Sequence, residues 1–279
     1  MGDTTKALVG KNAFIAGGTS GINLGIAKTL AAAGARVAVL SRSQEKVDAA
    51  VAELNALSGA DDCRGFAADV RDYDAVADAL GQTAESFGPL DIVVSGAAGN
   101  FLAPAEQLSS NAFRTVVEID LLGTFHVMRA AFDVARKPGA TFINISAPQA
   151  AVPFWGQAHV CAAKAGVDML TKTLAFEWGK LGINVNAIVP GPIENTEGME
   201  RLAATPQIRA AVELSVPKRS YGNIEDIANM ALFLAGDGGQ YINGAILCVD
   251  GGQILSGGAL SHPDTIFQLK TPDDEATVS

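Results

Sequence analysis

Short runs of apolar and β-branched residues alternate with longer stretches of helical periodicity, and this alternation most constrains the fold. Continuous apolar runs are typical of strands that are buried on both faces of a parallel sheet. The runs are 13–16, 37–40, 65–68, 92–94, 142–145, 185–189 and 245–249. The clearest helical stretches lie between them at 44–57, 74–87 and 160–181. The pattern predicts an α/β fold, a doubly wound parallel sheet of about seven strands with helices on both faces.

Two segments depart from this alternation. Residues 194–219 form a long connection after the sixth predicted strand. They predict a helical lid over the carboxyl edge of the sheet, where open α/β folds bind ligands. The C-terminal tail, residues 256–279, becomes polar and then acidic, which favours a mobile arm or a subunit contact. Since no linker or repeat divides the chain, we interpret residues 1–279 as one domain with a core of about residues 8–255.

Composition narrows the class of protein. The chain has 30 acidic and 20 basic residues, a net charge of −10, which argues against a nucleic-acid partner because phosphate contacts need a basic patch. No apolar run reaches the roughly 18 residues of a membrane span, so no membrane association is expected. Three widely spaced cysteines predict neither a disulfide framework nor a metal site. With no recognisable signal peptide or peroxisomal address, we expect a cytoplasmic protein.

A glycine-rich turn follows the first predicted strand and leads into a helical pattern. Glycines permit a tight turn and let backbone N–H groups approach a pyrophosphate at a helix N-terminus. An ordinary strand-to-helix turn is the alternative, but this position in a βαβ unit favours a dinucleotide. The candidate contacts in the turn are Gly17, Thr19, Ser20, Gly21 and Ile22.

The end of the second predicted strand indicates which dinucleotide is bound. NAD sites usually place an acidic residue here to hold the ribose 2′-hydroxyl, whereas this chain has Ser41, Arg42 and Ser43. Arg42, with Lys46 one helical turn later, favours pairing with a 2′-phosphate. The alternative is that Arg42 simply begins a solvated helix. We predict NADPH as the cofactor.

Together these residues resemble the short-chain dehydrogenase/reductase family over about residues 8–255. The turn resembles the family's Gly-x-x-x-Gly-x-Gly signature, with Asn23 in place of the last glycine. Segments 69–70, 96–99 and 190–193 resemble its adenine contact, its Asn-Asn-Ala-Gly segment and its nicotinamide loop. The resemblance implies a Rossmann-like fold and further cofactor contacts. These are Ser41, Ser43, Asp69, Val70, Ala97, Ala98, Gly99, Lys164, Pro190, Gly191, Pro192, Ile193 and Thr196.

The chain departs from that family at the catalytic helix. Family members normally carry Tyr-x-x-x-Lys, in which the tyrosine donates a proton to a carbonyl. Here Lys164 is present, but Val160 stands at the tyrosine position. The longer Tyr-x6-Lys spacing of enoyl reductases fails as well, because Gln157 occupies it. The usual acid for reducing a ketone is therefore missing.

Reduction of a conjugated C=C bond has a different requirement. Hydride adds to the carbon chain, an enolate must be stabilised, and the proton can reach carbon through water. A site with lysine and no tyrosine suits this chemistry. Segments 97–101, 109–113, 118–120, 159–164 and 190–198 resemble the 2,4-dienoyl-CoA reductases, most closely the peroxisomal type.

The resemblance suggests roles for two residues of the catalytic helix and its surroundings. Lys164 would bind the nicotinamide ribose and supply positive charge near the enolate. Ser146 resembles the family's active-site serine, with a hydrogen bond to the thioester or to water as its remaining role. A surface lysine on an alanine-rich helix is the alternative for Lys164.

Two further candidates carry balanced alternatives. Asp120 lies within a long helical pattern and either orients a proton-donating water beside Lys164 or has a structural role, in an ion pair or in stabilising a kink. His159 has a suitable pKa for an acid, but it lies about 140° from Lys164 around a regular helix. A histidine at the start of a helix with no catalytic role is the other interpretation.

Acyl-CoA binding needs cations for the CoA phosphates and an apolar wall for the acyl chain. The residues that match substrate contacts of the dienoyl-CoA reductases are Arg71, Phe101, Ser109, Ser110, Asn111 and Arg201. The resemblance also implies a homotetramer built through the helices that carry Asp120 and Lys164.

The resemblance implies NADPH-dependent reduction of 2,4-dienoyl-CoA to enoyl-CoA, with acyl-CoA as the small-molecule partner. Two alternatives remain: a reductase of another activated alkene or acyl-CoA, and a family member that binds NADP(H) but has lost catalysis with its tyrosine.

Overall fold

The computed structural model describes residues 7–59, 62–203 and 205–256. Apart from Ser256, the predicted C-terminal tail lies outside this range. Seven strands form one parallel sheet in the order β3-β2-β1-β4-β5-β6-β7. The strands are β1 (Asn12–Ala16), β2 (Arg36–Ser41), β3 (Arg64–Ala67), β4 (Ile92–Ser95), β5 (Thr141–Ile145), β6 (Asn184–Pro190) and β7 (Ile246–Val249). The predicted doubly wound sheet is confirmed.

Helices connect the strands and cover both faces of the sheet. They are α1 (Gly21–Ala32), α2 (Gln44–Ser58), α3 (Tyr73–Phe87), α4 (Ser110–Val117), α5 (Gly123–Val134), α6 (Ala158–Trp178), α7 (Glu197–Leu202), α8 (Pro206–Ser215) and α9 (Ile224–Ala235). No helix among the described residues is long and apolar enough to cross a membrane. The segment 194–219 contains α7 and α8, as the prediction of a helical lid required.

The core consists of two apolar layers separated by the sheet. Ile15 packs in the layer that holds Leu30 of α1 and Leu234 of α9. Its neighbour Phe14 packs on the other side, in the layer of α3 and α5. Adjacent strand residues point to opposite faces. Strands buried on both faces must therefore be apolar at every position, which is why their periodicity is continuous rather than alternating.

A five-residue π-helical turn, Glu118–Leu122, joins α4 to α5 where the sequence predicts a continuous helix. Such turns hold an extra residue and frequently occur at functional sites. Asp120 lies in the middle of this turn and is buried. The turn therefore directs a carboxylate into the protein from a helix that otherwise packs through apolar side chains.

The sheet divides at the neighbouring strands β1 and β4, whose connections leave in opposite directions. The turns that follow these two strands are joined by Asn23, whose Nδ2 donates a 2.8 Å hydrogen bond to the Gly96 carbonyl. A Cβ on residue 96 would lie 2.1 Å from Asn23 Oδ1. Asn23, the departure from the glycine signature, thus requires glycine at position 96.

We expect Gly96→Ala to destabilise the protein by about 1–3 kcal/mol, because the new methyl group forces Asn23 away from its hydrogen bond. Gly81→Ala is the matched control: a Cβ there meets nothing within 4 Å, and alanine suits the interior of α3 better than glycine. Urea unfolding measures both effects. Adding Asn23→Gly to Gly96→Ala should recover part of the loss, and no recovery would contradict this account.

Candidate functional site

Two adjoining cavities open at the carboxyl edge of the sheet, as expected for an open α/β fold. The larger has a volume of about 770 Å³ and extends under the lid. The smaller, about 260 Å³, lies beside the ends of β1 and β2. Five residues line both cavities: Ser20, Asn23, Gly96, Ala98 and Glu197. The site is therefore one continuous crevice with two compartments.

Most of the predicted cofactor residues lie on the walls of these cavities. The smaller cavity is lined by Gly17, Thr19, Ser20, Ser41, Arg42, Lys46, Asp69, Val70, Ala97 and Ala98. The larger is lined by Gly21, Ile22, Gly99, Lys164, Pro190, Gly191, Pro192, Ile193 and Thr196. Ser43 is not among the lining residues of either cavity. It is the N-cap of α2, where its hydroxyl accepts a hydrogen bond from the Lys46 N–H.

The glycine turn fits a pyrophosphate. Gly17 has φ +78°, and a Cβ on it would lie 2.9 Å from the Ala97 backbone nitrogen. The N-cap of α1, Ser20, makes no side-chain capping hydrogen bond, so backbone N–H groups of the first turn face the crevice. A helix N-terminus with free N–H groups favours a bound anion.

Arg71, one of the predicted substrate contacts, pairs with Asp69 at the edge of the smaller cavity. Its Nη2 lies 2.7 Å from Asp69 Oδ2, and its Nε lies 3.1 Å from Oδ1. These hydrogen bonds lower the pKa of the Asp69 carboxyl. A residue predicted to hold adenine and a residue predicted to hold CoA are thus in direct contact.

A buried ion pair forms part of the wall of the larger cavity. Lys164 Nζ is 3.4 Å from Asp120 Oδ2, and the two side chains are only 6% and 1% exposed. Lys164 also donates to the Ile145 carbonyl at 3.0 Å, and Asp120 Oδ1 accepts from the Gly99 N–H at 2.7 Å. Asp120 Oδ2 has no hydrogen-bond partner among the described residues. It is therefore available to accept a hydrogen bond from water or substrate.

No hydroxyl acid replaces the missing tyrosine at the position four residues before Lys164. Val160 occupies that position, is buried and lines the larger cavity. A methyl-bearing side chain cannot donate a proton to a carbonyl. The arrangement favours stabilising negative charge over protonating an alkoxide.

Ser146 lines the larger cavity, but its hydroxyl hydrogen bonds to a residue that the sequence did not single out. Its Oγ donates to Asp168 Oδ1 at 2.5 Å. Asp168 lies one turn after Lys164 on α6, and burial raises the pKa of its carboxyl. Lys164 and Asp168 have i, i+4 spacing, which places both side chains on one helical face. This spacing is the sequence signal that could have identified Asp168 as a residue near the site.

Three amide side chains form a second polar group on the wall of the larger cavity. Gln149 Nε2 donates to Gln157 Oε1 at 2.8 Å, and Gln157 Nε2 donates to Asn100 Oδ1 at 2.8 Å. In the sequence, Gln157 is notable only because it stands where enoyl reductases have a tyrosine. The chain of amides holds N–H donors in a compartment that is otherwise largely apolar.

His159 is fully buried, and its ring stacks on Phe101 with 4.3 Å between ring centroids. Neither ring nitrogen has a hydrogen-bond partner among the described residues. Burial lowers the pKa of the imidazole, so the neutral ring is favoured. This geometry favours a structural role for His159, in which its ring packs against Phe101 and holds it at the wall of the larger cavity.

The remaining predicted substrate residues lie in two places. Arg201, on α7 of the lid, lines the larger cavity. Ser109 caps the start of α4 by accepting from the Ala112 N–H at 3.1 Å, and Ser110 and Asn111 begin that helix on the surface. The structure therefore separates a lid-side cation from a cluster of polar side chains at the N-terminus of α4.

Comparisons with known proteins agree with this geometry. The family model described as enoyl-(acyl carrier protein) reductase matches residues 16–253. The chain belongs to the short-chain dehydrogenase/reductase family, and the resemblance inferred from its motifs is confirmed.

Individual relatives narrow the comparison further. The chain is 41% identical to a peroxisomal 2,4-dienoyl-CoA reductase, (3E)-enoyl-CoA-producing, from Danio rerio, over 88% of this chain and 81% of the relative. It is also 41% identical to a probable 2,4-dienoyl-CoA reductase, (2E)-enoyl-CoA-producing, from Bacillus subtilis, over 88% and 97%. A Burkholderia cenocepacia short-chain dehydrogenase solved in complex with NADP is 32% identical, with a TM-score of 0.82 over 88% and 99% of the chains.

The buried imidazole predicts a specific pH dependence of stability. His159 has a depressed pKa in the folded state, whereas the unfolded chain takes up a proton near pH about 6.5. The contribution of the neutral ring is therefore fully present above that pH and is lost as the pH falls towards the folded-state pKa. We expect His159→Phe to lose less stability than wild type between pH 8 and pH 5 in urea unfolding. A difference between the two proteins that does not vary with pH would contradict this assignment.

Proposed function

We propose that this protein reduces 2,4-dienoyl-CoA to enoyl-CoA with NADPH. The observation that carries the proposal is the buried Lys164–Asp120 pair at the cavity wall with Val160 in place of the family's tyrosine. Such a site can hold an enolate beside a cation and a water beside a carboxylate. The two dienoyl-CoA reductase relatives, each 41% identical to this chain, support the same assignment.

NADPH fits the compartments described above. Gly17 and the N-terminus of α1 would receive the pyrophosphate, and Asp69 and Val70 would contact the adenine. Arg42 and Lys46 line the smaller cavity and would hold the 2′-phosphate. Lys164 and the loop 190–193 would hold the nicotinamide half, because both line the larger cavity.

When bound, NADPH supplies the hydride that reduces the distal end of the diene. Lys164 then supplies positive charge where electron density collects on the thioester side. Asp120 would orient a water through Oδ2, which makes the ion pair with Lys164 but no hydrogen bond among the described residues, while the Gly99 N–H holds Oδ1 in place. Protonation next to the thioester gives a 3-enoyl product, and protonation two carbons further along gives a 2-enoyl product.

Different predicted substrate residues would contact different parts of the acyl-CoA. Arg201 and Arg71 would pair with CoA phosphates, whereas Phe101, supported by His159, would form the wall for the acyl chain. Ser109, Ser110 and Asn111 would contact the CoA at the N-terminus of α4. Ser146 would act as a hydrogen-bonding residue near the thioester, with Asp168 fixing its hydroxyl. His159 as the proton donor itself is the weaker assignment, because its ring lies behind Phe101.

The direct test is NADPH oxidation with a medium-chain trans-2,trans-4-dienoyl-CoA, with NADH and a saturated acyl-CoA as controls. We expect CoA-dependent turnover that favours NADPH. Proton NMR of the product identifies the enoyl isomer. Cofactor binding without oxidation would overturn the proposal and favour an inactive family member, and turnover of other activated alkenes alone would move the assignment to a different substrate.

Asp120→Asn should lower kcat by about 10–100-fold, because the amide can still accept from Gly99 but no longer balances Lys164 or attracts a water proton. Asp48→Asn is the matched control, since it makes the same substitution at an exposed carboxylate on α2 that, among the described residues, accepts only from Gln44. NADPH affinity should change little in either variant. Equal kcat values for Asp120→Asn and wild type would exclude Asp120 from the reaction.

We also propose a homotetramer that uses the outer faces of α5 and α6. Phe125 on α5 and Met169 and Phe176 on α6 are exposed, and Phe176 is 90% exposed. Met169 and Phe176 are seven residues apart and share one helical face. Isolated chains rarely leave such a patch uncovered.

Phe176→Glu should shift the protein to a smaller assembly in light scattering after size-exclusion chromatography, because an interface core does not accommodate an unpaired charge. Leu57→Glu, on exposed α2, is the control and should leave the assembly unchanged. If both variants keep the wild-type mass, α6 does not form the interface.

We propose the cytoplasm as the site of action. All three cysteines, Cys63, Cys161 and Cys248, are free thiols. Unpaired cysteines suit a reducing compartment.

A further inference from the structure

Glu197, the first residue of α7, holds two cations with one carboxylate. Its Oε1 lies 3.3 Å from Lys46 Nζ on α2, and its Oε2 lies 3.4 Å from Arg201 Nη2 one turn along α7. Lys46 and Glu197 are 151 residues apart in the sequence. All three side chains are more than half exposed, so water screens both ion pairs and each is weak.

The position of Glu197 also relates it to the cofactor subsite. It lines both cavities, so its carboxylate lies at the boundary between the two compartments. Lys46 lines the smaller compartment together with Arg42, and Arg201 lines the larger one together with Lys164. Glu197 is thus an anion placed beside the subsite that we assign to an anion.

A carboxylate and a 2′-phosphate compete for the same ammonium group. The phosphate monoester carries a charge of about −1.5 to −2 at neutral pH, so it attracts Lys46 more strongly and repels Glu197. NADH has a hydroxyl in place of this phosphate. Its binding therefore leaves Lys46 with Glu197 and carries no such cost.

We propose that Glu197 is a specificity-determining residue for the cofactor. It competes with the 2′-phosphate for Lys46 and so weakens NADPH binding while leaving NADH binding unchanged. When NADPH is bound, Lys46 moves to the phosphate and Glu197 keeps Arg201 alone. This inference rests on the proposed assignment of Arg42 and Lys46 to the 2′-phosphate.

The test compares dissociation constants of NADPH and NADH for the full chain without acyl-CoA, measured by cofactor fluorescence. Glu197→Gln should tighten NADPH binding by about two- to fivefold, the range of a screened surface pair, and leave NADH unchanged. Glu200→Gln is the matched control, because it removes the same charge from an exposed position on the same helix. Raising the salt concentration to about 0.5 M should reduce the gain, since the Debye length falls well below 10 Å.

Lys46→Met distinguishes a failure of the 2′-phosphate assignment from a failure of the role proposed for Glu197. It should weaken NADPH relative to NADH, and in its background Glu197→Gln should lose most of its effect. If Lys46→Met leaves NADPH binding unchanged, the phosphate assignment fails and the inference falls with it. If Lys46→Met weakens NADPH but Glu197→Gln leaves it unchanged, only the inference is overturned.

Three other results also overturn the role of Glu197. They are equal tightening of NADPH and NADH, an equal effect of Glu200→Gln, and an undiminished effect of Glu197→Gln in the Lys46→Met background. Thermal unfolding of each variant checks that α7 and the lid remain folded. Glu197→Asp, which keeps the charge, should retain most of the wild-type ratio of NADPH to NADH affinity.

Discussion

The buried pair of Lys164 and Asp120 is the interaction on which the rest of the site depends. Two charges taken out of water are stable only when their geometry is good and their remaining hydrogen-bonding groups have partners. Ile145 at the end of β5 and Gly99 after β4 provide two of those partners, and Asp120 Oδ2 has the ion pair alone among the described residues. The pair therefore ties α6 and the π-helical turn to the ends of two central strands. The chemistry of the cavity and the packing around it are set by the same few contacts.

The fold was predictable because burial on both sheet faces leaves a strong trace in the sequence. The continuous apolar run at β1 follows from Phe14 and Ile15 packing into opposite layers. The positions of the glycine turn and of Arg42 at the cavity were predictable as well, because each depends on local sequence. The turn needs glycine where two backbones approach closely, and Arg42 directly follows the end of a strand. Lys164 could be located through its spacing from Val160, because one helix fixes that distance.

Contacts between distant segments were not predictable in the same way. Nothing in the local sequence of Glu197 indicates that Lys46 approaches it from another helix. Arg71 and Asp69 are only two residues apart, and their pairing was hidden for a different reason, since the family resemblance assigns each of them separately to a ligand. Gln157 appeared only as a missing tyrosine, whereas the fold places it between Asn100 and Gln149. Side-chain partners across the crevice depend on the tertiary structure, and residue spacing carries no record of them.

The π-helical turn at Glu118–Leu122 has a consequence for how helical phase is assigned in this chain. Because the turn holds one residue more than an α-helical turn, α4 and α5 are out of phase by about 100°. The inward face of each helix therefore has to be read from its own buried residues. Each half has its own wheel, with Val116 facing inward on the first and Val127 and Met128 on the second. The extra residue lets one rod present a carboxylate to the cavity while Val116, Val127 and Met128 stay buried on either side of it.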